Sequence, residues 1–360
     1  MREDRLDALL EEHDVDAAWF VRPRNFAWIT GRRNDVDEGA PLGAAAVGYD
    51  GDGLVVVADA ADADRFREEV TPDARVESFA WHETTLPAAV AAASPSDAVA
   101  DVDVPGLGTV DPAPYRRHLS DADADRYREL GRTVAAGVER ICTELQPTDT
   151  ERDVADGVRM ALAAADVRAP QVLVGGADRA ARYPRPTPTD AKLGSWARVS
   201  VTGERHGLHV SLTRTVAFAD EDHPTDLADR LTAAATVEVT ALGATQVLAS
   251  LDRSAADLLP AIRAACEGVD HRDAWRTLPP GGATGFAPRE WQVTPDEDAP
   301  VRTPLAYAYN PTVRGLRSED TYLVGDDAVE LLTATGDWPT ARVDGYDYDV
   351  ALPRHEVVTP

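Results

Sequence analysis

Few side chains in this chain stand at spacings that suggest chemistry. His206 and His209 lie three residues apart beside Gly207, which invites a metal ion. Positions i and i+3 of a strand face opposite sides, however, so surface or internally satisfied histidines are the expectation. Glu319 and Asp320 would work as an acid–base pair only if both faced one pocket. Adjacent strand residues point apart, and an ion pair of one of them with Arg214 or Arg317 is the alternative. Arg182, Arg185 and Arg289 would offer forked donors to a carboxylate or phosphate if they converged, and otherwise read as surface arginines. Gly281-Gly282 and Gly285 make a glycine-rich loop without the lysine of a phosphate loop, which argues against a nucleotide. Tyr307 and Tyr309 alternate along an extended run, and either line a pocket or form one face of a half-buried sheet. Cys142 and Cys266 are too few for a disulfide framework and lack zinc-site spacing.

The elements that must position these residues are legible in outline. Leu6, Leu9 and Leu10 share a helical face, and residues 17–21 read as a buried strand. Residues 43–47 and 54–57 read as a hairpin, 62–69 as a helix and 97–104 as a further strand, giving a small α/β module that ends near residue 118. From Asp121 the pattern changes: Tyr127, Leu130, Val134, Val138, Ile141 and Leu145 recur every three or four residues, a long amphipathic helix stopped by Pro147. Asp149 or Thr150 is placed to cap a second helix carrying Val154, Val158 and Leu162. Strands are expected at 197–203 and 208–218, helices at about 225–241 and 254–267, and extended runs at 303–310 and 320–324. The domains expected are 1–118 and 119–345, followed by an irregular tail at 346–360.

Composition narrows the function classes. The 360 residues carry 63 Asp and Glu against 36 Lys and Arg, a formal charge of −27. A surface this negative repels nucleic-acid backbones and anionic lipid headgroups. Lys192 is the only lysine. Acid excess with so little lysine resembles the proteins of salt-accumulating halophiles, where molar salt shortens the Debye length to about 3 Å and self-repulsion matters little, although high genomic GC would give the same arginine bias. The start lacks the apolar stretch of a signal peptide, and the expectation is a cytoplasmic protein.

Several stretches in order resemble the creatinase, Xaa-Pro aminopeptidase and methionyl aminopeptidase superfamily. Residues 15–31, ending in Asn25-Phe26-Ala27-Trp28-Ile29-Thr30-Gly31, look like the creatinase-type N-terminal domain, whose pattern is N-x-x-Y-L-T-G. Residues 146–151 are similar to the family's link into a helix, Thr213-Arg214-Thr215 to its S-D-x-T-R-T strand, and residues 316–321 to V-R-I-E-D-T. The resemblance implies an α/β N-terminal domain followed by a pita-bread α+β domain enclosing a central site. It also implies a homodimer, and two divalent ions such as Mn, Co or Zn held by two Asp, one His and two Glu, which activate a water against a peptide bond.

Carried onto this sequence, the five ligand positions of the resemblance fall at Val201, Ser211, Gly282, Asn310 and Glu319. No Asp occurs between residues 193 and 218, where the family pattern needs two. The family's substrate-side His has no counterpart in residues 171–199, and its later His falls at Arg289. The expectation is therefore a remnant pocket without metal or other cofactor, in a pseudoenzyme that binds a peptide, a small anionic molecule or a protein partner. Arg182, Arg185, Arg289, Arg214 and Tyr309 are the candidate ligand-binding residues. The alternative is an active metallo-aminopeptidase or amidohydrolase with relocated catalytic groups. From the charge pattern, the thermal unfolding midpoint is expected to rise between about 0.1 M and about 2 M KCl; a fall over that range would count against the halophile reading.

Overall fold

The computed structural model describes residues 2–37, 39–70 and 74–360. The chain separates into two compact units, Met1–Ser120 and Asp121–Pro360.

The first unit is built on a six-stranded mixed sheet. Its strand order is Arg75–Phe79, Leu54–Asp59, Ala45–Tyr49, Ala17–Phe20, Ala98–Ala100 and Gly108–Thr109. The apolar run at 17–20 is buried on both faces because it lies inside the sheet, antiparallel to Ala45–Tyr49 and parallel to Ala98–Ala100. The N-x-x-Y-L-T-G-like stretch turns out to be a short helix, Pro23–Thr30, closed by Gly31 in the left-handed region (φ 69°) with its N–H bonded to the Ala27 carbonyl. Asn25 anchors that helix by donating to Asp101 at 2.6 Å, and Asp101 also accepts from the backbone N–H groups of Val21 and Arg22. The sequence reading did not anticipate this helix, the strand Arg75–Phe79 or the helix Leu86–Ala93.

In the second unit the helices Asp121–Cys142 and Glu151–Ala163 pack on an antiparallel sheet of Arg168–Gly176, Trp196–Arg205 and Leu208–Ala217. Thr150 caps the second helix through a reciprocal box with Asp153. The two long strands close through His206-Gly207, both at positive φ, which suits the twist of a tight hairpin. Glu204 lies in the strand itself, paired with His209, one residue beyond the strand end expected at 203. A second sheet runs in the order Gly281–Thr284, Leu305–Tyr309, Thr321–Val324 and Val329–Leu331. Helix Leu227–Ser250 is longer than expected and apolar enough to cross a membrane by length and composition, but 67% of its apolar window is buried in this unit. It is a core helix here.

The final residues are not irregular. Thr340–Asp344 and Ala351–His355 form a hairpin, and Val358 then bridges to Val216. This hairpin carries Arg354 and His355 into a fully buried network. Arg354 Nη2 lies 2.6 Å from Glu238 and 2.9 Å from Asp320. Arg214 donates to Glu139 at 2.7 Å and to Asp320 at 3.0 Å. His355 Nδ1 is 2.8 Å from Asp320, while its Nε2 accepts from Arg214 at 3.1 Å. Burial by itself would raise Asp320, but Arg214, His355 and Arg354 hold it well below the usual carboxylate range. Burial pushes Glu238 up to about 8 against the pull of Arg354, and Asp320 adds to the rise.

Burial keeps the His355 ring less basic than usual despite Asp320 beside it. An unfolded chain takes up that proton near pH 6.5, the folded one only at lower pH. The stability His355 contributes is thus present above about pH 6.5 and lost as pH falls below it. Glu238, with its raised value, acts in the opposite sense, so the test compares two proteins. Between pH 7.5 and 5.0 the thermal midpoint of H355N should fall less steeply than that of the parent, and equal slopes would show that His355 titrates alike in both states.

Candidate functional site

Strand alternation decides which side chains face the interior between the hairpin and the second sheet. Thr202 pairs with Ser211 and Ser200 with Thr213, and their hydroxyls meet: Thr202 Oγ1 is 2.9 Å from Ser211 Oγ, and Thr213 Oγ1 is 2.8 Å from Ser200 Oγ. Val201, one residue out of phase, points to the other side. There Gly203 packs so closely on Val134 and Val167 that a Cβ would collide. The expectation that Val201 lines the pocket is corrected accordingly. Ser200 and Thr202 are the residues of that strand that share a face with Ser211, and the alternation of hydroxyls at 200, 202, 211, 213 and 215 was the signal for it.

Ser211 joins the hairpin to the second sheet. Its N–H donates to Thr321 Oγ1 at 2.7 Å, and that hydroxyl donates back to the Ser211 carbonyl at 2.9 Å. Thr321 pairs with Ala308, which pairs with Gly282, so Ser211 and Gly282 belong to one row across the interface. Gly282 has no room for a side chain, because a Cβ there would run into the carbonyl and ring of Trp291. Asn310 follows the strand Leu305–Tyr309, with its N–H bonded to the Pro280 carbonyl at 2.9 Å and its Oδ1 buried without a partner.

Glu319 is the one carboxylate of the five positions, and it is occupied. Thr213 Oγ1 donates to its Oε2 at 2.9 Å, Arg289 Nη2 lies 3.1 Å from its Oε1, and Arg317 Nη1 is 3.8 Å from Oε2. The Thr213 N–H also bonds to the Glu319 carbonyl at 2.8 Å, which fixes the backbone. Asp320, the next residue, faces the opposite side with Arg214 and Arg354, so the two carboxylates do not form a catalytic pair. Arg214 is fully buried in that opposite network, and Tyr309 is turned toward the core helix, its hydroxyl 2.6 Å from that of Thr245. Both are removed from the set of ligand-binding candidates on those grounds. Arg182 ends the helix Ala177–Arg182 and is exposed.

Two arginines that the sequence reading had not assigned to the site complete it. Arg198, on the same face as Ser200 and Thr202, is buried; it donates to the carbonyls of Gly315, Tyr183 and Pro184. Arg317 donates to the same Pro184 carbonyl at 2.8 Å. Burial, reinforced by the charge of Arg317, makes the Arg198 guanidinium far less basic than usual. Burial likewise lowers Arg317; Glu319 opposes the fall, and the charges of Arg289 and Arg185 deepen it. His206 and His209 stay apart from this centre: His206 sits in the turn, and the His209 ring lies 3.3 Å from the Gly285 carbonyl, its basicity lowered by burial.

The chain resembles solved structures along almost its entire length. The prolidase of Pyrococcus horikoshii aligns with 93% of this chain and 98% of its own, at 15% identity and a TM-score of 0.72. The dipeptidase PepE of Mycobacterium ulcerans aligns over 99% and 96%, at 18% identity and a TM-score of 0.72. The N-terminal domain of the FACT complex subunit SPT16 from chickpea aligns over 93% and 96%, at 12% identity and a TM-score of 0.62. No curated protein sequence matches the chain significantly. Residues 2–103 match the Creatinase/Prolidase N-terminal domain.

These comparisons contradict the expectation of no cofactor: the N-terminal match is to the creatinase/prolidase domain, and the structural neighbours include prolidases and an Xaa-Pro dipeptidase, a family expected to use two divalent metal ions. The side chains at the site do not match that requirement. Hard divalent ions want several carboxylate or imidazole donors. The site offers one carboxylate, already held by Arg289, together with uncharged hydroxyls and the charge of Arg317. Replacing Gly282 with His, the family's residue, should lower stability by at least about 2 kcal/mol in chemical denaturation, because the side chain meets the Trp291 backbone; an unchanged midpoint would mean that the segment yields. Residues 2–103 match the creatinase/prolidase N-terminal domain, and along almost its whole length the chain has the two-domain, pita-bread fold of solved prolidases and dipeptidases.

Proposed function

We propose that this chain is a binding module on a prolidase-type fold, which takes up a peptide, a small anionic ligand or a protein partner and does not cleave it. The observation that carries this reading is Glu319: its two oxygens are engaged by Thr213 and Arg289. A general base or a cation ligand needs a carboxylate free to accept a proton or an ion. The hydroxyls around it are weak nucleophiles without an adjacent base, since no His ring lies among Ser200, Thr202, Ser211 and Thr213 in the described bonds. Two small cavities on the Arg354 side of the unit measure 40 and 10 Å³, room for water and not for a peptide. At the rim, where Arg185 is exposed and Arg289 half-buried, two guanidiniums are within reach of a ligand from solvent. A fold does not fix an activity, and the solved structures that share this one include a FACT complex subunit as well as prolidases.

The second reading, an active metallo-aminopeptidase or amidohydrolase with relocated groups, is favoured by the similarity to prolidases and dipeptidases. Xaa-Pro dipeptides and tripeptides incubated with the purified protein, with Mn, Co or Zn supplied and KCl at molar concentration, decide between the two. The binding role predicts no release of the N-terminal residue above a mock preparation under any of the metals. Turnover abolished by E319Q would establish the hydrolase instead.

A further inference from the structure

Arg198 and Arg317 converge on one acceptor, the Pro184 carbonyl, at 3.0 and 2.8 Å. The next residue in the chain is Arg185, which is exposed and has no hydrogen bond or ion pair among the described residues. Arg289 approaches the same region through Glu319, using one terminal nitrogen for that carboxylate and the other for the Pro288 carbonyl. Arg289 and Arg317 flank Glu319 at 3.1 and 3.8 Å, Arg198 shares the Pro184 carbonyl with Arg317, and Arg185 follows that residue, so four guanidiniums and one carboxylate occupy this region, an excess of three positive charges in a chain whose formal charge is −27. Glu319 is the one carboxylate that acts on Arg198 and on Arg317, and Arg185 and Arg289 are close enough to Arg317 to make it less basic. Like charges held this way, two of them almost fully buried, repel at a cost that a bound anion offsets.

We infer that Arg185 and Arg289, backed by Arg198 and Arg317, form a site for a doubly charged oxyanion of the phosphate class. Guanidinium forks match the oxygens of phosphate or carboxylate in pairs. A dianion cancels two of the three excess charges, whereas a carboxylate cancels one. Glu319 acts as the internal competitor, because it holds one terminal nitrogen of Arg289. A phosphate-bearing small molecule or peptide would then be the ligand of the binding role proposed above, on which the inference rests. Among the described residues, Arg185 is the arginine of this group free to reach into solvent, so it makes first contact.

The test is calorimetric titration of the whole chain with inorganic phosphate at constant KCl, with acetate and a proline-terminated dipeptide as separate arms. Phosphate should bind at one site per chain. R185Q, a surface change that leaves the fold intact, should weaken it at least tenfold, and E319Q should tighten it by freeing Arg289. R159Q, an exposed arginine on the helix Glu151–Ala163, should match the parent. Acetate binding as tightly as phosphate would overturn the dianion assignment, and phosphate binding that ignores R185Q would overturn the site. Dipeptide binding without cleavage, alongside no response to phosphate, would sink the oxyanion site while leaving the binding role in place.

Discussion

Glu319 sits among cations that belong to the chain itself, and the arrangement of the second unit follows from that. Its carboxylate ties the hairpin strand Leu208–Ala217 through Thr213, the rim through Arg289, and its own strand through Arg317. Buried carboxylates persist only when opposite charge or donors surround them. Here both requirements are met by guanidinium and hydroxyl. The same demand, met one residue later on the opposite face by Arg214, Arg354 and His355, holds Asp320. The pleat of the segment at 317–320 thus divides two charged clusters, one that locks the C-terminal hairpin to the core and one that faces the interior of the fold.

The two clusters differ in balance. Around Asp320, three carboxylates face two guanidiniums and a histidine, and the raised Glu238 and the weakly basic His355 bring that group close to neutrality. Around Glu319 the guanidiniums are in excess. A structural network settles near zero charge because uncompensated buried charge is costly. An excess that survives in the fold is the physical sign of a site that expects a counter-ion.

Much of the architecture was legible because period-3.6 and period-2 patterns are strong in long elements. Val134 and Val138 announced the first helix of the second unit, and Thr150 its neighbour's cap. Elements carrying Pro or Gly escaped notice: Arg168–Gly176 contains both, and Pro23–Thr30 opens on Pro. The tail at 346–360 looked irregular because its hairpin strands are short and polar, yet it supplies Arg354. Glu319, Ser211 and Gly282 were found from the family motifs and do lie across one interface. Val201 was misplaced by one step, enough in a strand to turn it to the opposite face. Arg198 was missed because nothing in a local pattern distinguishes a buried arginine from an exposed one; only its Pro184, Tyr183 and Gly315 carbonyl partners, distant in sequence, do so.

The most direct test of the central claim is the coupling between Arg289 and Glu319, measured as a double-mutant cycle of R289Q, E319Q and both together by denaturant unfolding. A carboxylate committed to its guanidinium predicts a favourable coupling above about 1 kcal/mol, beyond the range of exposed pairs. Additive effects of the two substitutions would mean that Glu319 is free, and would contradict the account.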